Sequence, residues 1–174
     1  MKILGICGSP RKKNTYFMIE TILNSAKEKG AETEIISLVD SDIKHCTGCI
    51  ICEETGECVI SDDMKELLLK LESVDAIVLG SPSYYNNVTG LMKDFIDRTN
   101  PTWKDLKLKG KKAAICCTGS QNVKAIQNCT DILVGFAKTI KMKVVGNVTA
   151  NDQHLHSKSV ISELQKLGEK IASN

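Results

Sequence analysis

Four of the eight cysteines in this 174-residue chain stand within thirteen positions, Cys46, Cys49, Cys52 and Cys58, spaced C-x₂-C-x₂-C-x₅-C. Thiolates are soft ligands for iron and zinc, and three-residue steps let a tight turn aim successive sulfurs at one centre. Gly48 and Gly56 ease the bends that this requires. Four thiolates suit a [4Fe–4S] cube, whereas structural zinc sites usually bring two separated pairs. The open alternatives at this stage are that cluster, a zinc ion, or plain reduced thiols. Cys7, Cys116, Cys117 and Cys129 fall on apolar positions and are expected in the core. His45 reads as a solvated loop histidine, and Trp103 as a packing or subunit-contact residue.

A second set of chemically suited residues lies in three polar, glycine-opened segments. Gly8-Ser9-Pro10-Arg11-Lys12-Lys13-Asn14-Thr15 offers hydroxyl and amide donors, positive charge and the start of a helix, which together favour a phosphomonoester. It is neither a Walker loop nor a G-x-G-x-x-G turn, since the glycines those need are absent. Gly80-Ser81-Pro82-Ser83-Tyr84-Tyr85-Asn86-Asn87 places two aromatics and two amides together, as a flavin ring with its polar pyrimidine edge requires. Thr118-Gly119-Ser120-Gln121 is suited to close backbone approach.

The elements that must position these segments alternate strand and helix. Strands are expected at Ile3 to Cys7, Glu34 to Val39, Asp75 to Gly80, Ala113 to Cys117 and Lys143 to Val148. Helical stripes fall between and after them, one of them opening behind Asp62 and Asp63 as candidate caps. Five strands alternating with five helices imply an α/β fold, a three-layer sandwich on a parallel sheet. The first, third and fourth strands are apolar throughout and so central; the second and fifth are more polar and so at the edges. That is the flavodoxin-like order 2-1-3-4-5, whose ligands bind beyond the carboxyl ends of the strands at the switch point. All three polar segments leave such ends. A single domain over 1–174 is expected, with the cysteines in an aperiodic loop at about 40–61.

Gly8-Ser9-Pro10-Arg11 with Asn14-Thr15, then Ser81-Pro82-x-Tyr84-Tyr85 leading to Lys93-x-Phe95-x-Asp97-Arg98, resembles the NADPH-dependent FMN reductase superfamily over nearly the whole chain. The compact cysteine motif after the second strand resembles the iron–sulfur flavoproteins within it. The resemblance implies that Ser9, Arg11, Asn14 and Thr15 hold the FMN phosphate. It implies that Pro82, Tyr84, Tyr85 and Asn86 line the isoalloxazine, with Thr118 and Gly119 closing the third side. Lys13 stands where relatives often carry glycine.

The expected activity is that of an oxidoreductase relaying electrons between a [4Fe–4S] cluster and FMN, with a ferredoxin-like donor or NAD(P)H and a small-molecule acceptor. An NAD(P)H-dependent FMN or quinone reductase without a cluster, and a zinc-stabilised binding module without turnover, are the alternatives. A homodimer or homotetramer is expected, because an edge-strand loop can approach a neighbour's flavin. The net charge of +2 gives no sign of nucleic acid or an anionic membrane as partner. The apolar start is too short and too soon broken for a signal peptide, so a reducing, cytoplasmic setting is expected.

Overall fold

The computed structural model describes residues 1–173. In chain order it comprises β1 (Lys2–Cys7), α1 (Asn14–Glu28), β2 (Glu32–Ser37), α2 (Ile51–Thr55), α3 (Met64–Ser73) and β3 (Ala76–Pro82). These are followed by α4 (Gly90–Arg98), β4 (Lys112–Gly119), α5 (Val123–Thr139), β5 (Lys143–Asn151) and α6 (Lys158–Ala172). All neighbouring strands pair in parallel, in the order β2-β1-β3-β4-β5. This is the flavodoxin-like arrangement that apolar centres and polar edges predict.

Side chains alternate across the sheet with a period of two, and this sorts the core into two layers. Leu4, Ile6, Ile77, Leu79 and Ile115 face α3, α4 and α5, meeting Leu67, Leu71, Met92, Phe95 and Leu133. Ile3, Cys7, Val78, Ala114 and Cys116 face α1 and α6, meeting Met18, Ile19, Ile22, Leu164 and Ile171. Each fully buried aliphatic side chain contributes about 1.5–3 kcal/mol. Close packing of α6 on α1 depends on Gly168, where an added Cβ would lie 2.2 Å from the carbonyl oxygen of Ile22. As expected, Cys7, Cys116, Cys117 and Cys129 are all fully buried. Among the described residues no helix is long and apolar enough to cross a membrane.

β3 and β4 each run two residues further than expected, to Pro82 and Gly119, and three departures say more. β2 begins and ends two residues early: Ser37 is paired with Cys7, the last residue of β1, and Leu38–Asp40 turn away as a 3-10 segment. β5 runs on to Asn151, because its polar end pairs with Cys117, Thr118 and Gly119. The cysteine segment also contains a helix, α2, that its lack of apolar periodicity concealed; none of its residues is buried.

Candidate functional site

The three strand-end segments are bound to one another. The Gly8 N–H donates to the Gly80 carbonyl (2.8 Å), and the Ser83 N–H to the Thr118 carbonyl (2.7 Å). Thr89 caps α4 by accepting from the Met92 N–H (3.1 Å), and its hydroxyl donates to the Gly8 carbonyl (2.6 Å). The first N–H groups of α1 have no partner inside the helix, which with the helix dipole favours an anion beside them. Ser9 is buried, its hydroxyl accepting from the Arg11 N–H (3.1 Å) and donating to the Arg11 carbonyl (2.7 Å), so it shapes the turn. Lys12 is drawn away to Asp40 (2.6 Å), while Arg11 remains exposed at the mouth.

Tyr84 and Asn87 form an antiparallel bridge, with Tyr85 and Asn86 at its tip in left-handed conformation (φ 50° and 61°). Two positive φ values make a tight primed turn, an uncommon conformation for a tyrosine. The turn presents Tyr85 fully to solvent and Tyr84 about half exposed.

A cleft of about 540 Å³ joins these parts, a size typical of small-molecule sites. Arg11 comes to it from the first segment, Pro82, Tyr84, Tyr85 and Asn86 from the second, and Gly119 from the third. Ser83, Ser120, Gln121 and Asp152 complete its wall. Ser9, Asn14, Thr15 and Thr118 are not wall residues of this cleft. Asn14 Nδ2 (2.8 Å) and Thr118 Oγ1 (2.7 Å) both donate to Asp152 Oδ1, which ties the first and third segments together behind it.

Two buried polar atoms at the wall, Ser83 Oγ and Gln121 Oε1, have no hydrogen-bond partner. One is a hydroxyl able to donate, the other an acceptor, as the pyrimidine edge of a flavin requires. Gly119 lies between them, and a Cβ there would stand 2.6 Å from Gln121 Oε1 and 3.3 Å from Ser83 Cβ. Glycine therefore keeps this end of the cleft open. The donors, the acceptor and the open floor fit FMN.

The cysteine segment is anchored at its base. The Lys44 N–H donates to Asp62 Oδ2 (2.9 Å), and the Arg98 guanidinium donates to the Lys44 carbonyl (2.7 Å) and to both Asp62 oxygens (2.6 and 2.9 Å). Both side chains of this pair are essentially inaccessible. Burial pushes the Asp62 carboxyl up, but Arg98 and the Lys44 and Met64 N–H groups outweigh it and hold it below its usual range. Asp62, not Asp63, reaches the first turn of α3; the Asp63 carboxylate accepts from Asp42 instead (2.7 Å).

Removing one member of a buried pair strands the other, so Asp62→Ala should cost about 3–5 kcal/mol, read as a lower urea midpoint. The folded carboxyl titrates below its unfolded value of about 3.9. The deficit of the variant should therefore be full above about pH 4 and shrink as pH falls through the lower folded value.

From this base the segment lies against the C-terminal end of α4, away from the cleft. Asn100 Nδ2 donates to Cys52 Sγ (3.3 Å), and Cys58 stands beside the Arg98 guanidinium. Cys46, Gly48, Asn100 and the half-exposed Trp103 line an open groove of about 580 Å³ with Phe136 of α5 and Ile140 just beyond its end. His45 is a solvated loop residue, as expected. It is also paired with Asp94 (2.7 Å), whose hydrogen bond and charge raise its pKa.

All four cysteines are free thiols, Cys46 and Cys49 exposed and Cys52 and Cys58 half-buried. Their backbone path is not that of a single tight turn. Left-handed residues at Gly48 and Ile50 reverse the chain, and Cys52 is taken into α2. Among the described residues, no three His, Cys, Asp or Glu side chains form a group able to hold a metal ion. The donor chemistry fits an iron–sulfur cluster: four soft sulfurs, two of them with nitrogen donors alongside.

Sequence reasoning singled out the segments that hold Ser83, Ser120 and Gln121 without giving these residues a role, and it missed Asp152 at the cleft and the parts of Asp62, Arg98 and Asn100 at the cysteine segment. Asp152 escaped because β5 was ended at Val148; extending it to Asn151 puts the next residue at a carboxyl end like the others. Arg98 was visible as the only arginine in an amphipathic helix, next to its apolar stripe.

The family model for NADPH-dependent FMN reductase matches residues 1–156. An iron–sulfur flavoprotein of Methanocaldococcus jannaschii is 36% identical over 157 residues, which cover 90% of this chain and 80% of that protein. One from Archaeoglobus fulgidus is 48% identical over 99 residues, 57% of this chain and 49% of the relative, so this match spans about half the relative's length. A solved flavone reductase superposes with a TM-score of 0.79 at 25% identity, covering 99% of this chain and 62% of its own. The matched residues contain the first two strand-end segments, the cysteine motif and β4 with its outlet. The chain is a member of the NADPH-dependent FMN reductase family, among its iron–sulfur flavoproteins.

Proposed function

We propose that this oxidoreductase binds FMN in the strand-end cleft and relays electrons between it and a [4Fe–4S] cluster on Cys46, Cys49, Cys52 and Cys58. The flavin half is carried by one observation: a cleft of about 540 Å³ at the switch point, with an unpartnered hydroxyl and an unpartnered amide oxygen in its wall. The phosphate would lie against Ser9 to Thr15, with Arg11 supplying charge and the first turn of α1 supplying N–H donors. Pro82, Tyr84, Tyr85 and Asn86 would cover the ring and Gly119 its third side, with Thr118 behind it holding Asp152.

The cluster half is supported by the C-x₂-C-x₂-C-x₅-C spacing, four free thiols, and the nitrogen donors of Asn100 and Arg98. The names of the two relatives speak for it as well. When bound, FMN takes electrons singly or in pairs and the cluster takes them singly, which suits a relay from a ferredoxin-like donor or NAD(P)H to a small acceptor. The chain's own part is to hold the two apart. α4 begins at the cleft and ends at the cysteine segment, eight residue steps or about 12 Å along its axis. A homodimer or homotetramer would let one copy's cysteine segment also meet another's flavin cleft.

A second reading is favoured by the dispersed thiols: an NAD(P)H-dependent FMN or quinone reductase without a cluster. The absorption spectrum of anaerobically purified protein separates the readings. Flavin bands over broad iron–sulfur absorption are expected. Flavin bands alone would favour the second reading, and a colourless protein that takes up no added FMN would overturn both.

A further inference from the structure

Arg98 has more to do than close the base of the cysteine segment. Its terminal nitrogens make three hydrogen bonds, to the Lys44 carbonyl and the two Asp62 oxygens, whereas its Nε is buried and makes none. A buried charged donor left unmade costs free energy, so native structures rarely keep one without a use. The group standing next to this guanidinium is the Cys58 side chain. A neutral thiol is a weak acceptor, whereas a metal-bound thiolate is a good one.

We propose that Nε–H of Arg98 is the hydrogen-bond donor to the Cys58 sulfur when the segment carries its cluster, and that this bond raises the cluster's reduction potential. The proposal rests on the cluster reading above. Hydrogen bonds to cluster sulfurs withdraw electron density and favour the reduced state. Asp62 balances the arginine's charge, so the effect is that of a directed N–H group at short range. The carboxylate is bound by the two terminal nitrogens, which leaves Nε–H free to donate elsewhere. Arg98 is thus a positioning and tuning residue, and it takes no part in binding FMN.

The chain has two arginines, Arg11 at the cleft and Arg98, so ¹⁵N-arginine labelling reports on very few nitrogens. In reduced, cluster-loaded wild-type protein, pulsed electron paramagnetic resonance should detect a ¹⁵N hyperfine coupling. Arg98→Lys, which keeps the positive charge but lacks the Nε–H, should lose that coupling and still hold iron. Its cluster should be harder to reduce by about tenfold in the equilibrium, or about 59 mV for a one-electron couple. No ¹⁵N coupling in loaded wild-type protein would overturn the proposal even if the variant failed to fold. An Arg98→Lys protein with the wild-type potential would overturn it too, leaving Arg98 a structural clamp. Wild-type protein that retains no iron would instead overturn the cluster reading on which this rests.

Discussion

A Gly119→Val variant is expected to fold and to bind FMN roughly a hundredfold more weakly than the parent, a loss of about 2.8 kcal/mol. Gly119 is the last residue of β4, where a β-branched side chain suits the extended backbone. Its lost freedom is in front of it. The added Cβ would stand 2.6 Å from Gln121 Oε1 and 3.3 Å from Ser83 Cβ, and the two further methyl groups of valine need still more room. Gln121 must move to relieve its contact, while the Ser83 backbone is held by its N–H to the Thr118 carbonyl. Space and the acceptor of the ring edge are therefore lost together. Fluorescence titration with FMN measures the change, and far-ultraviolet circular dichroism verifies the fold. Unaltered affinity in a folded variant would mean that the ring does not approach this wall.

The second large effect is chemical. Cys49→Ala should reduce iron from about four atoms per chain to nearly none while FMN stays bound, since a [4Fe–4S] cube needs its four ligands. Cys49 is exposed and makes no hydrogen bond that holds the fold, so the change should leave stability within about 0.5 kcal/mol. FMN should be unaffected, because the cysteine segment is anchored to the far end of α4 through Arg98 and Asn100, while the cleft is assembled at its near end through Thr89 and Gly8. Metal analysis and the flavin spectrum are read on the same anaerobic sample. Iron retained at the parent's level would remove Cys49 from the ligand set.

Particular residues show how far the sequence carried. Short continuous apolar runs such as Ile3 to Cys7 are what strands covered on both faces look like, and the polar character of β2 and β5 put them at the edges; order and switch point followed. The three segments at strand ends were equally readable, because glycine next to hydroxyl, amide and aromatic residues has few other uses there. What stayed hidden was contact across distance. Asp62 and Arg98 are thirty-six positions apart, and neither has a local pattern announcing that both are buried as a pair. Asp152 was lost with the end of β5, whose Thr149-Ala150-Asn151 is too polar to read as strand until its pairing with β4 is seen. The path of the cysteine segment was hidden for another reason. Its spacing describes what the thiols do around a metal, and left-handed backbone at Gly48 and Ile50 with a short α2 gives the chain a different path.

The location of the flavin decides the whole account, and a crystal structure of FMN-saturated protein tests it most directly. The phosphate should lie at the first turn of α1, against Ser9 and Thr15, and the ring between the Tyr84–Tyr85 turn and Gly119, with Ser83 and Gln121 no longer unpartnered. Nucleotide density anywhere else, or a cleft that stays empty at saturating FMN, would contradict it.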